Sequence, residues 1–152
     1  MTWATVAALT LISSAAAAQS AASQRLVLEV KPVALLAVSG EPLPMVVNGD
    51  GGTVMDLSGH YDIVTNLGTM RITASIDRPM PEGTSLAIRL ESSMGVSRGS
   101  VDITGATGSA DVVTGIGPGS ERGQRITYMF SAAAGSSGID SQSRIVTLTL
   151  TE

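Results

Sequence analysis

His60 is the one histidine of the chain, and Ser58 and Asp62 flank it at two-residue spacing. A serine nucleophile needs a base within hydrogen-bond reach and an acid to orient that base. All three residue types are present, and on a strand residues two apart share a face. Sharing a face does not make a relay, and nothing in the surrounding sequence supplies an oxyanion hole. The trio therefore reads as a loop or strand end with no catalytic role.

Two further clusters invite chemistry. Asn48, Asp50 and Asp56 around Gly51 and Gly52 faintly resemble an oxygen-ligand calcium loop. Such a loop needs acids at alternate positions and a closing glutamate. Only Asn48 and Asp50 keep the spacing and no glutamate follows, so an Asx-rich turn is the expectation. Gly115-Ile116-Gly117-Pro118-Gly119 follows an apolar strand, as a phosphate-binding loop does. The phosphate-binding form must open a helix. Here Ser120-Glu121-Arg122-Gly123 leads into another strand pattern, and a plain β-connection is expected. Arg71, Arg78 and Arg89 read as solvated charges. A carboxylate pair for glycoside hydrolysis would depend on separation in space, and a sugar site usually wants aromatic platforms. Trp3, Tyr61, Tyr128 and Phe130 are the whole aromatic inventory. The reading is of a protein that is not an enzyme, with no cofactor and no metal site.

The elements around these residues are strands. In Met70 to Glu91, Met70, Ile72, Ala74 and Ile76 alternate with polar residues, and after a break Leu86, Ile88 and Leu90 do the same. Period-two alternation gives each strand one buried and one wet face. The break, Arg78 to Thr84, holds two prolines and a glycine and is long for a tight hairpin, so the two strands are expected to cross between sheets. Leu26, Leu28 and Val30 alternate as a first strand up to Pro32. Val33 to Val38 is apolar throughout, as a strand buried on both faces would be. Short strands are expected at 45–47, 54–57, 61–65, 101–104, 112–116 and 126–130, and a last one with Val146, Leu148 and Leu150 on one face. The sum is an all-β chain, an antiparallel β-sandwich of about eight to ten short strands.

Composition sets the bounds. The chain has 152 residues, a net charge of −4 and no cysteine. That length suits one domain with a core that needs no disulfide staple. Nine Lys and Arg residues are spread singly, whereas nucleic-acid binding needs clustered cations; no nucleic-acid partner is expected. Residues 1–18 carry no charged side chain, with an apolar run from Val6 to Ile12 and Ala16-Ala17-Ala18 before Gln19. This reads as a secretory signal peptide, although its first residues lack the usual Lys or Arg. The expected plan is a signal peptide over 1–18, a flexible lead over 19–24 and one β-sandwich domain over 25–152. The chain is then secreted or held at the cell surface, with no membrane insertion once the peptide is removed.

The strand series resembles the immunoglobulin-like and pilin-like β-sandwich modules exported by Gram-negative bacteria. LEVKPVALLAVSG near the mature start, ASIDRPMPEGTSLAI in the middle and VVTGIG before ITYMFSA resemble small secreted bacterial proteins without assigned activity. The cysteine pair and near-terminal tyrosine usual in chaperone–usher pilins are absent, and the chain ends RIVTLTLTE. The resemblance implies a sandwich that associates through strands, and it supplies no catalytic residue.

Two functions follow as expectations. The first is an exported structural subunit of a filament or surface assembly, partnered by itself or by other surface proteins. It would be joined by donation of residues 25–38, with Leu26, Leu28, Val30, Val33 and Leu35 as the assembly residues. The alternative is a monomeric binding module that offers the loops 48–53, 92–100 and 132–143 to a sugar, calcium or a protein.

Overall fold

The computed structural model describes residues 22–105, 108–136 and 141–152. The signal-peptide reading of residues 1–18 and the first part of the lead lie outside the described residues.

Among the described residues there are nine strands and no helix. They are β1 (Ala34–Ser39), β2 (Gly52–Thr65), β3 (Met70–Ile76), β4 (Thr84–Leu90), β5 (Val96–Ser97), β6 (Val101–Asp102), β7 (Ala110–Ile116), β8 (Gly119–Ala132) and β9 (Val146–Thr151). All pairings are antiparallel. One sheet has the order β1-β2-β8-β4-β6 and the other β5-β7-β3-β9. Each sheet keeps an apolar face from its period-two sequence, and the two faces bury each other, so the protein is an all-β sandwich.

The core is the set the alternation marks. Ile72, Ala74 and Ile76 from β3 and Leu86, Ile88 and Leu90 from β4 are all buried, joined by Tyr61, Ile63, Val112, Val113, Ile116 and Ile126. β3 and β4 lie in different sheets. The long break between them is thus a crossing, as its length and prolines imply.

Two strands depart from the expected outline for one physical reason. The segments at 54–57 and 61–65 form one strand of 14 residues, and 126–130 is the end of another, β8, also of 14. Each contains a bulge. Asp56 faces Tyr128 and Gly59 faces Ile126, so β2 holds one extra residue there. Tyr61 faces Gln124 and Ile63 faces Glu121, so β8 holds one extra residue there. An extra residue moves the alternation to the other face. Hence Asp56 is buried, and beyond the bulge Gly59, Tyr61 and Ile63 are buried instead. On β8 the buried set runs Tyr128, Ile126 and then Glu121. Gly123, at φ +62, supplies the left-handed residue of the β8 bulge, and its N–H donates to Asp62 Oδ1 at 2.7 Å.

Three expectations need correction. Residues 22–33 contain no strand, so the first strand begins at Ala34. Nor is β1 buried on both faces: it is the edge of its sheet, and only Leu36 is even partly buried. A continuous apolar run is ambiguous between a doubly covered strand and an edge, and here it is the edge. Residues 45–47 form no strand; Met45 and Val47 are partly buried within the loop 40–49.

Residues 31–152 form one compact unit, and residues 22–30 belong to a separate one. Residues 22–30 have no regular secondary structure, and Leu26, Leu28 and Val30 are 75%, 82% and 85% exposed.

Candidate functional site

The Ser58-His60-Asp62 trio does not assemble. The Ser58 hydroxyl donates to Asp56 Oδ1 at 2.7 Å and lies 3.0 Å from the Glu41 carbonyl oxygen. His60 Nδ1 is 3.0 Å from the Ser58 carbonyl oxygen, and Asp62 accepts from Gly123. Each side chain is engaged with backbone or with a residue outside the trio. The Ser58 hydroxyl, with the N–H groups of Leu43 and Ser58, holds the Asp56 carboxyl below the usual carboxylate range, against the opposing effect of burial. Asp56 therefore belongs to the β2 bulge and the loop 40–49, not to a calcium loop with Asn48 and Asp50. The Asn48 carbonyl accepts from Gly51 N–H at 3.0 Å in an ordinary turn. Gly117-Pro118 is the two-residue link between β7 and β8, so the glycine run is a β-connection.

The most enclosed carboxylate among the described residues is one the alternation does not pick out. Glu121 is 4% exposed. Its carboxylate accepts from Ser93 N–H (2.8 Å), Met94 N–H (3.1 Å), and the hydroxyls of Ser92 (3.0 Å), Ser93 (3.0 Å) and Tyr61 (3.1 Å). Ser92 Oγ in turn accepts from Gly95 N–H at 2.9 Å. The Tyr61 hydroxyl also lies against the Glu91 carbonyl oxygen. Burial, and then the Glu121 charge, push the Tyr61 hydroxyl well above the ordinary tyrosine range. This arrangement pins the turn 92–95 to the end of β8. Every one of these contacts ties the end of β8 to its neighbours, which suits a structural carboxylate.

The second feature is an apolar groove of about 1080 Å³. Val38 at the end of β1, Leu43 and Met45 of the loop 40–49, Tyr128 and Phe130 of β8, and Val146 at the start of β9 line it. Gly40, at φ +82, turns the chain out of β1 into that loop, with no room for a Cβ beside the Ser58 carbonyl. Asp56 then fastens the loop through Leu43 N–H.

Beside the groove runs the outer edge of β9, which among the described residues pairs with no further strand. Its apolar residues Val146, Leu148 and Leu150 pair with Ile76, Ala74 and Ile72 of β3. The three β3 residues are buried, whereas the three β9 residues in the same row are only partly so. The row loses cover at its last strand. β9 reads Val-Thr-Leu-Thr-Leu-Thr, with no proline and no charge, the usual devices that keep a sheet edge from pairing. Asp77 fixes its start: Asp77 N–H donates to the Ile145 carbonyl at 3.1 Å, and Ile145 N–H to Asp77 Oδ1 at 3.0 Å.

The expected assembly residues fall into two groups. Leu26, Leu28 and Val30 stand exposed outside any sheet. Val33 and Leu35 are tied to the sandwich. Val33 N–H donates to Asn66 Oδ1 (2.7 Å) and its carbonyl accepts from Asn66 N–H (3.1 Å), while Leu35 pairs with Val64. Asn66 Nδ2 also donates to the Lys31 carbonyl at 2.7 Å. The alternation signalled the first group; the Asn66 clamp on the second has no local sequence signal.

Comparison with known proteins yields no relative: no family model, no curated protein and no solved structure matches the chain.

Proposed function

We propose that this chain is an exported structural subunit that joins copies of itself into an extracellular filament or cell-surface assembly by lending an N-terminal strand. One observation carries the reading: Leu26, Leu28 and Val30 alternate as strand residues do, yet lie exposed outside any sheet. Burying a leucine or valine side chain stabilises by about 1.5–3 kcal/mol. Three such residues on one face, with backbone N–H and C=O groups to pair, give this segment a reason to seek another sheet. Because β1 belongs to its own sandwich and Asn66 holds Lys31, the lent segment is narrower than residues 25–38 and comprises residues 25–30. The charge-free, alanine-rich start of the chain supports export, and the resemblance to exported β-sandwich modules agrees with it.

Deleting residues 22–30 and comparing the secreted proteins by light scattering and electron microscopy tests the reading. The intact chain is expected to form assemblies and the shortened one to remain monomeric. Assemblies of equal size from both would sink it. An intact chain that stays monomeric at high concentration while binding a ligand saturably would favour a loop-presenting binding module instead.

A further inference from the structure

Resting on the reading of an N-terminal strand lent to a neighbour, we infer that the receiving surface is the outer edge of β9 with its adjoining groove, and that copies join head to tail. The occupant is residues 26–30 of a second copy.

The argument begins with the uncovered row. Val146, Leu148 and Leu150 repeat at two-residue spacing on the core side of β9 and are only partly buried. Leu26, Leu28 and Val30 repeat at the same spacing. A strand laid along β9 with those three residues inward continues the row β7-β3-β9 by one strand. It also sends its end toward the groove at Val146. Val27 and Glu29 then fall on the outer face beside Thr147 and Thr149, both exposed. The other edge strands fit less well. β5 and β6 have two residues each, too few for a five-residue segment. β1 also has a partly uncovered core-side row, Ala34, Leu36 and Val38 opposite the buried Thr65, Ile63 and Tyr61, but it offers an added strand only two side chains larger than alanine, against three on β9.

Direction follows from where the two features lie. Residues 31–33 meet the sandwich at Asn66, beside the pair Ala34 and Thr65. The short connection 66–69 leads from there to Met70, and Arg71 pairs with Thr151. The root of the N-terminal segment and the Thr151 end of β9 therefore share one end of the sandwich. The groove opens at the other, where Ser39 pairs with His60 and β9 begins at Val146. Lys31 precedes Pro32, which confines it to extended backbone and disfavours a reversal there. A donor root at one end and an acceptor groove at the other make a heterologous contact. Repeating it builds a run of copies, open unless its rotation closes a ring, and not an isologous pair.

Thiol pairing in the full-length protein tests this, because the native chain has no cysteine. Single variants Val27→Cys and Glu29→Cys are each mixed with Thr147→Cys or Thr149→Cys and oxidised gently. Ala37→Cys on β1 and Asp102→Cys on β6 serve as controls; all six positions are exposed. A disulfide needs Cβ atoms within about 4.5 Å, so two donor and two acceptor positions cover a two-residue shift in register. The expected result is a disulfide-linked pair between donor and β9 variants at roughly tenfold or greater excess over the controls, since docking raises the local thiol concentration. A chain carrying both Glu29→Cys and Thr149→Cys is expected to give a ladder of linked oligomers. Equal linkage to the controls, a single closed dimer, or an internal disulfide in the monomer would overturn the inference. If deletion of residues 22–30 abolishes assembly but no link to β9 forms, strand donation stands and this acceptor is wrong. If the deletion leaves assembly intact, both fail.

Discussion

Glu121 keeps a carboxylate inside the sandwich because backbone N–H groups and hydroxyls meet it from the turn 92–95 and from Tyr61. Removing it takes the acceptor from several part-buried N–H groups and hydroxyls of the turn 92–95 at once, and a buried donor left unmatched costs about 1–3 kcal/mol. Glu121→Ala is therefore expected to destabilise the protein by roughly 3 kcal/mol or more. In urea denaturation the midpoint should fall while the slope stays the same. Tyr61 gives a second test. Its hydroxyl is pushed above the ordinary range by burial and by Glu121, and that of Tyr128 by burial and by Asp56. A raised folded value means the contribution to stability is present below about pH 10, the unfolded value, and fades as pH rises toward the folded one. These are the only two tyrosines, so the native protein is expected to show less tyrosinate absorbance near pH 10.5 than the unfolded chain at the same pH. Equal tyrosinate in the two, with the fold intact, would contradict the buried placement. On the acid side the signs reverse. Ser58 holds Asp56 low, and the Ile145 N–H, first among its partners, holds Asp77 low. Their contribution is present above about pH 3.9 and is lost as pH falls through the folded values. Asp56→Asn should flatten the acid limb of a plot of denaturation midpoint against pH. Little at this scale was legible in the sequence. Counting back from Ile126 in simple alternation buries Gln124, Arg122 and Ser120 and exposes Glu121. The one-residue bulge at Gly123 reverses that, and Glu121-Arg122-Gly123 reads locally as a polar turn.

β3 and β4 behaved as their spacing requires, with Ile72 through Leu90 supplying facing rows of the core. Ile88 is fully buried between Val101 and Tyr128 on the neighbouring strands. Ile88→Asp should cost roughly 4 kcal/mol or more, as an unpaired buried charge does. That is a large share of the 5–15 kcal/mol typical of such domains. Unchanged thermal stability would break the assignment of β4 to the core. The loop 40–49 rests on Gly40, whose added Cβ would meet the Ser58 carbonyl oxygen at 2.1 Å. Gly40→Ala is expected to lower stability by about 1–3 kcal/mol, and to raise hydrogen exchange in residues 41–47 before the rest of the molecule. Strands with clean alternation were readable from the chain alone. The long bulged pair β2 and β8 was read as fragments, since each bulge interrupts the period from which a strand is recognised. The edge position of β1 was unreadable for a different reason: an apolar run reports hydrophobicity, and only tertiary pairing decides which faces are covered.

The molecule holds its core within residues 31–152, while Leu26, Leu28 and Val30 stand exposed. Loss of residues 22–30 is accordingly expected to leave the denaturation midpoint of the monomer unchanged to within about 0.5 kcal/mol, a result separable from any loss of assembly. The all-β class and the sandwich were legible because nearly every strand has period-two order between glycine and proline breaks. The groove and the uncovered edge of β9 were not, because both arise from which strands end up last in a sheet. One small feature then takes on mechanical meaning. Asn66 grips the chain on both sides of Pro32, through the Lys31 carbonyl and both polar groups of Val33. Tension drawn along the N-terminal segment reaches the sandwich first at this side chain, which passes it to the long strand β2. Asn66 is thus a strain relief: it keeps a pull from peeling β1 away residue by residue, and Asn66→Ala should lower the force at which that strand unzips in single-molecule pulling.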